Sequence, residues 1–254
     1  MERPPSLTRK LADLTRRGKR AGRDRGRVAP SSVEMAAKLG HLREMEVFAP
    51  LSTAEQTWLM ESTTMITCEP GRVFHTPDER GEVVFILKRG KVDLFRLAVD
   101  GRKLVVASLG PHSIFGEMGL IGQGLYGCYA EAVEECLLCV LSRSDLQDLI
   151  RRNPEVALRF LDDMGRRLQE REAALEDLAF RALPARLAAL LLREAGDASV
   201  VAGLSHEELA ERLGTYRETV SQILGRFRRE GLVAIEPRRI ALLNIPELRA
   251  RAEE

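Results

Sequence analysis

Two short runs of helical periodicity, separated by a glycine, lie near the end of the chain. In the first, Leu209, Ala210 and Leu213 share one face, and Ser205 stands before them with Glu208 three residues on. That spacing predicts a reciprocal cap between hydroxyl and carboxylate. Gly214 supplies the residue without Cβ that a sharp helix stop needs, and Thr215 is read as the cap of the second run. There Val220, Ile223, Leu224 and Phe227 follow the i, i+3, i+4, i+7 order of a buried stripe, with Glu218, Ser221, Gln222 and Arg229 opposite and Arg217 on the flank. Helices this close together predict a helix-turn-helix. Beyond them Val233 to Ile235 and Arg239 to Leu243 flank Glu236-Pro237-Arg238, which predicts a small β-wing with two arginines at its tip.

Upstream the period changes. An amphipathic opening from Ser31 contains a helix capped by Ser52 or Thr53 that buries Leu59. From Met65 to Leu141 short β-rich runs are punctuated by glycines, and Asp100-Gly101 marks a hairpin, so a β-barrel or roll is expected. Asn153 to Phe180 is then a single helical stretch opened by Pro154, about 40 Å long. Along it Ala157, Leu161, Met164, Leu168, Leu175 and Leu178 alternate steps of four and three, interrupted by Arg171. This is a coiled-coil seam, and the same helix of a second subunit is its simplest partner. Pro184 opens a further helix whose Leu187, Leu190 and Leu191 are expected beneath the helix-turn-helix, with Arg181 to Leu183 as a hinge.

The expected architecture is α+β: a basic arm (1–30), a β-roll (31–152), a dimerisation helix with hinge (153–181) and a winged helix-turn-helix (182–254). Composition narrows the function. The chain has 254 residues, 44% hydrophobic and 30% charged, and no apolar run of membrane-span length, so a cytoplasmic protein without a membrane partner is expected. Net charge is +1, yet residues 1–30 are strongly basic, and two readings stand for them: non-specific phosphate contacts, or an inert tail. Cys68, Cys128, Cys136 and Cys139 form no disulfide scaffold, and the odd spacing of Cys136 and Cys139 in an apolar run fits strand packing better than a metal. Neither metal-ligand spacing nor a nucleophile–base pair is present, so no metal and no enzyme is expected.

The exposed side of the second helix has the chemistry to read bases. Arg forks onto guanine, Glu accepts from cytosine and Gln pairs with adenine. The alternative is that Glu218 merely closes a capping box with Thr215.

β-roll, long helix, hinge and winged helix-turn-helix, in that order, resemble the CRP/FNR family of bacterial transcription regulators over about Leu42 to Leu248. The most specific pieces are GTYRETVSQILGRFRREGLV, Gly214 to Val233, and FGEMGL, Phe115 to Leu120. The resemblance implies a homodimer on palindromic double-stranded DNA, with Arg217, Glu218, Ser221 and Gln222 at base-reading positions and Thr215, Tyr216 and Arg226 completing the DNA-binding set. Many members have a second arginine where this chain has Gln222, which implies a changed base or two in a TGTGA-like half-site. The segment Glu194 to Gly203 resembles the place where activators of the family touch RNA polymerase, so an activator with that partner is implied.

FGEMGL resembles the family's phosphate-binding cassette, here Gly116, Glu117, Met118, Gly119 and Leu120. In members that bind cyclic AMP an arginine about nine residues on clamps the phosphate and a serine follows. Here Tyr126 and Gly127 stand there, and the clamp is lost. Where those members touch adenine with small hydroxyl residues of the dimer helix, this chain has Arg171 and Glu172. The resemblance thus implies a degenerate effector pocket with no cyclic AMP. It is either a retained structural turn or a site for another ligand, such as an anion held by Arg171. No cysteine precedes Cys68, and Cys68 with His75 makes a poor haem ligand pair, so the iron–sulfur and haem branches are not indicated. The competing reading is a sensor whose β-roll binds a cyclic nucleotide or another small effector.

Overall fold

Strands of the first half close around three phenylalanines. The computed structural model describes residues 45–77, 79–116 and 127–253. The basic arm therefore lies outside the described residues. Among the described residues of this half, eight strands run in chain order: β1 (Thr64–Cys68), β2 (Val73–His75), β3 (Val83–Arg89), β4 (Val92–Leu97), β5 (Lys103–Leu109), β6 (Ile114–Phe115), β7 (Tyr129–Ala132) and β8 (Cys136–Ser142). They form two four-stranded sheets, ordered β1-β8-β3-β6 and β2-β7-β4-β5. Phe85 and Phe115 stack at 4.9 Å, and Phe74 meets them at 5.3 and 5.4 Å. Each ring is fully buried, worth roughly 1.5–3 kcal/mol.

Central position explains the composition of β8. Both of its edges are paired, antiparallel to β1 and β3, and residues on both of its faces are buried, so an almost unbroken apolar run is needed. Cys136 and Cys139 are both buried in it, and all four cysteines are free. Gly90, at φ 91°, lies so close to β8 that a Cβ there would meet the Glu135 carbonyl oxygen at 2.3 Å.

Helix α1 (Thr53–Ser62) starts on a reciprocal Ser52–Glu55 cap and buries Leu59, as its pattern predicts. Helix α2 (Arg143–Arg152), unanticipated from sequence, begins directly on β8 because Ser142 accepts from the Asp145 amide at 3.1 Å. Helix α3 (Glu155–Phe180) has 26 residues. Val156 and Phe160 anchor its first turns, Phe160 edge-on to Phe48 at 6.4 Å.

Helix α4 (Leu183–Ala195) carries Pro184 in its first turn, where a missing amide proton costs nothing. After it come β9 (Val200–Ala202), α5 (His206–Leu213), α6 (Arg217–Arg229), β10 (Val233–Glu236), β11 (Arg239–Leu242) and α7 (Ile245–Ala252). Leu187, Leu190 and Leu191 of α4 share one core with Leu209, Leu213, Val220, Leu224, Phe227 and Leu248. The sheet is ordered β10-β11-β9, so the wing has three strands rather than the two expected. The third comes from Glu194 to Gly203, which is not a plain loop.

The described residues divide into two compact units: those up to Phe95 with those of Ala107–Gly165, and those of Arg96–Val106 with those from Arg166 onward. Helix α3 thus contributes to both.

Candidate nucleic-acid interface

Local hydrogen bonds fix both ends of α5. Ser205 Oγ accepts from the Glu208 amide at 3.2 Å, and Glu208 Oε2 accepts from the Ser205 amide at 2.7 Å. Burial alone would raise Glu208, but the bonds from Ser205, with Arg238 and Arg212 nearby, hold its carboxyl below the ordinary value. At the other end Gly214 adopts φ 66°, ψ 36°, the left-handed stop that glycine takes without a Cβ clash. Arg186 Nη2 donates to the Leu213 carbonyl at 2.9 Å and ties that end to α4.

Thr215 does not cap α6. Its amide is engaged by the Ala210 carbonyl at 3.0 Å in closing α5, and the helix starts a residue later with Tyr216 as an N-cap that makes no side-chain capping bond. The Thr215–Glu218 box is therefore absent, and Glu218 is an exposed side chain in the first turn of α6.

The inner face of α6 is Val220, Leu224 and Phe227, fully covered, with Ile223 half-buried. Its outer face exposes Arg217, Glu218, Gln222 and Arg226, with Ser221 half-buried beside them. Arg226 pairs with Glu230 at 2.8 Å, and that hydrogen bond is the main cause of Glu230 titrating below its ordinary range. Tyr216 is 52% exposed at the head of the helix. One contact escaped the sequence: His206 Nδ1 lies 2.8 Å from Ser221 Oγ, across the angle between the helices. Nothing local signals it, because the two residues belong to different elements.

A cleft of about 650 Å³ separates α5 and α6 from the wing, lined among others by His206, Arg217, Glu236 and Arg238. Both arginines at the wing tip have protein partners. Arg238, at φ 52°, donates to the Gly203 carbonyl at 3.1 and 3.0 Å and reaches Glu208 at 3.4 Å; Arg239 approaches Glu236 at 3.7 Å.

The other predicted residues are distributed as follows. Leu161, Leu168, Leu175 and Leu178 of α3 are 62, 57, 67 and 56% exposed, and Met164 is half-buried. Arg171 and Glu172 are exposed on the same helix. Gly116 is buried at the end of β6 with φ 85°, and Gly127 is exposed ahead of β7. Glu117, Met118, Gly119, Leu120 and Tyr126 lie outside the described residues. Among the described residues no group of three His, Cys, Asp or Glu side chains could hold a metal, and no helix is long and apolar enough to cross a membrane.

Comparison with known proteins agrees with this layout. The cyclic nucleotide-binding domain family model matches residues 65–153, and the Crp-like helix-turn-helix domain model matches residues 185–251. The chain is 36% identical over 168 residues to the cyclic AMP receptor protein of Thermus thermophilus, covering 66% of this chain and 78% of that one. It is 30% identical over 190 residues to a CRP-like cAMP-activated global transcriptional regulator of Mycobacterium tuberculosis, covering 72% and 85%. A solved CRP-family transcriptional regulator, also from Thermus thermophilus, superposes with a TM-score of 0.62 at 27% identity, over 74% of this chain and 97% of the other. The relatives are regulators and not enzymes, and this chain belongs with them to the CRP/FNR family of DNA-binding transcription regulators.

Proposed function

We propose that the protein works as a homodimer on a two-fold symmetric duplex site. Arg217, Glu218, Ser221 and Gln222 of each subunit meet base edges, Thr215, Tyr216 and Arg226 lie beside the backbone, and cyclic AMP is not required. The observation that carries the dimer is the leucine stripe of α3, with Leu161, Leu168, Leu175 and Leu178 each more than half exposed at coiled-coil spacing. Covering each would contribute roughly 1–2 kcal/mol, and a second copy of the helix offers the matching stripe. Two copies of α6 then address two half-sites, which is how helix-turn-helix dimers gain specificity.

Independence from cyclic AMP is supported by the residues standing where the family's nucleotide-binding members place their clamp. Tyr126 and Gly127 offer no cation for a phosphate, and Arg171 and Glu172 replace the small hydroxyls expected beside adenine. A second reading, an effector-dependent regulator, is favoured by the cyclic nucleotide-binding match and by the names of the relatives just described. Activation through RNA polymerase is proposed from the exposed Glu194, Asp197 and Ala198 ahead of β9, in the segment that resembles the family's activating surface.

The test is a fluorescence-anisotropy titration of the protein against a palindromic TGTGA-type duplex and a scrambled one, at fixed salt, with and without cyclic AMP. Specific binding that is unchanged by the nucleotide is expected. Specific binding only in its presence would replace this reading by the second one.

A further inference from the structure

We infer that His206 sets the hydrogen-bond polarity of Ser221, and so helps decide which bases the recognition helix accepts. The inference rests on the reading that α6 presents Ser221 to base edges.

The geometry is a bridge between two helices of the DNA-reading unit. His206 is the first residue of α5, Ser221 lies in the second turn of α6, and Nδ1 and Oγ are 2.8 Å apart. A serine hydroxyl has one proton to give and lone pairs to receive, and the imidazole determines which of these remains for a third partner. If Nε2 carries the ring proton, Nδ1 takes the hydroxyl proton, and Ser221 has only lone pairs left. It then accepts from an amino group such as cytosine N4. If Nδ1 carries a proton, it donates to Oγ, and the hydroxyl proton is free for guanine O6 or N7 or for thymine O4. A doubly protonated ring donates from both nitrogens, so only the second arrangement survives.

The surroundings bear on that change in both directions. His206 is half-buried at the cleft. Arg217 of α6 and Glu236 and Arg238 of the wing turn line the same cleft, and Glu207 and Glu208 stand on the histidine's own helix. Burial first, and the Arg217 charge second, hold its pKa below the ordinary histidine value in the free protein. DNA phosphates act in the opposite sense. A bond that only braced the two helices would alter affinity for every sequence alike, whereas a polarity filter alters the ranking of bases at one position per half-site.

The experiment uses a duplex selected by the wild-type protein from a randomised pool, with each half-site position replaced in turn by the other three base pairs. Relative affinities are measured at fixed salt at about pH 8 and about pH 5.5, on either side of the imidazole range, for wild type, Ser221→Ala and His206→Gln. Melting curves establish that each variant is folded. In the wild type, acidification should shift preference at one position about three- to tenfold from cytosine towards guanine or thymine, and both variants should lose the shift. If Ser221→Ala alters the preference at one position while the wild-type ranking is the same at both pH values, the inference is wrong and the groove reading stands. If Ser221→Ala alters no preference anywhere, Ser221 does not meet a base, and the reading beneath the inference fails with it.

Discussion

Ser205 and Glu208 hold each other at the mouth of α5, hydroxyl to amide at 3.2 Å and carboxylate to amide at 2.7 Å. Two of the helix's free amide donors are satisfied by one pair of side chains. The same carboxylate is also 3.4 Å from Arg238, so the cap joins the helix-turn-helix to the wing. Ser205→Ala is expected to cost about 1 kcal/mol of stability, read as a lower midpoint in denaturant, while Ser205→Asp, a competent cap, should keep most of it. Equal midpoints for wild type and alanine variant would show that the cap contributes nothing.

Arg217 is exposed in the first turn of α6 with no ion-pair partner among the described residues, a geometry suited to a guanine edge. Arg217→Ala should cost roughly 1–3 kcal/mol on the cognate duplex and relax one base position. Gln222→Arg should move preference at a neighbouring position towards guanine. Competition titrations against single-base variants of the duplex measure both, and an unaltered ranking in each variant would remove these residues from the base-reading set.

The stripe on α3 makes a separate prediction. Charges at Leu161 and Leu168, as in a double glutamate variant, should give monomers by sedimentation velocity and weaken duplex binding by at least about tenfold, because one half-site alone is then engaged. The head itself should still melt cooperatively, since neither residue belongs to its core. A variant that stays dimeric would place the seam elsewhere.

His75 predicts a pH dependence of stability unrelated to DNA. Burial beside Phe115 lowers its pKa from 6.5 to about 4, with a backbone hydrogen bond at Cys128 opposing the shift. The folded-state value lies below the unfolded one, so as pH falls the unfolded chain takes the proton first. Stability is complete above about pH 6.5 and declines progressively towards about pH 4, by roughly 3 kcal/mol for this group. Chemical denaturation of wild type and His75→Phe between those limits should show a flatter profile in the variant. Parallel profiles would deny His75 the effect.

What could be seen in advance was what depends on near neighbours. The Ser205–Glu208 cap, the stop at Gly214, the buried Val220–Leu224–Phe227 stripe and the Asp100-Gly101 hairpin are each specified within a few residues. Thr215 misled because either of two adjacent residues can start a helix, and the choice was made by the Ala210 carbonyl on the other helix. Strand β9 is three residues long and exists only because β11 lies beside it. Helix α7 had a readable start in Asn244, Pro246 and Glu247, but its apolar face, Leu248 and Ala252, is too short for periodicity to show. The contact of His206 with Ser221 joins residues on separate helices and needs the folded angle between them.

Arg238 is already held by the Gly203 carbonyl and the Glu208 carboxylate. A phosphate that takes this guanidinium meets a charge already offset in part by the Glu208 carboxylate, so Arg238 brings less net charge to the duplex than a bare cation would. The wing therefore adds less to the steepness of affinity against salt than the roughly one ion per arginine that free side chains would add. A contact between the wing tip and the duplex should accordingly weaken less as salt rises than a contact made by an unpaired arginine.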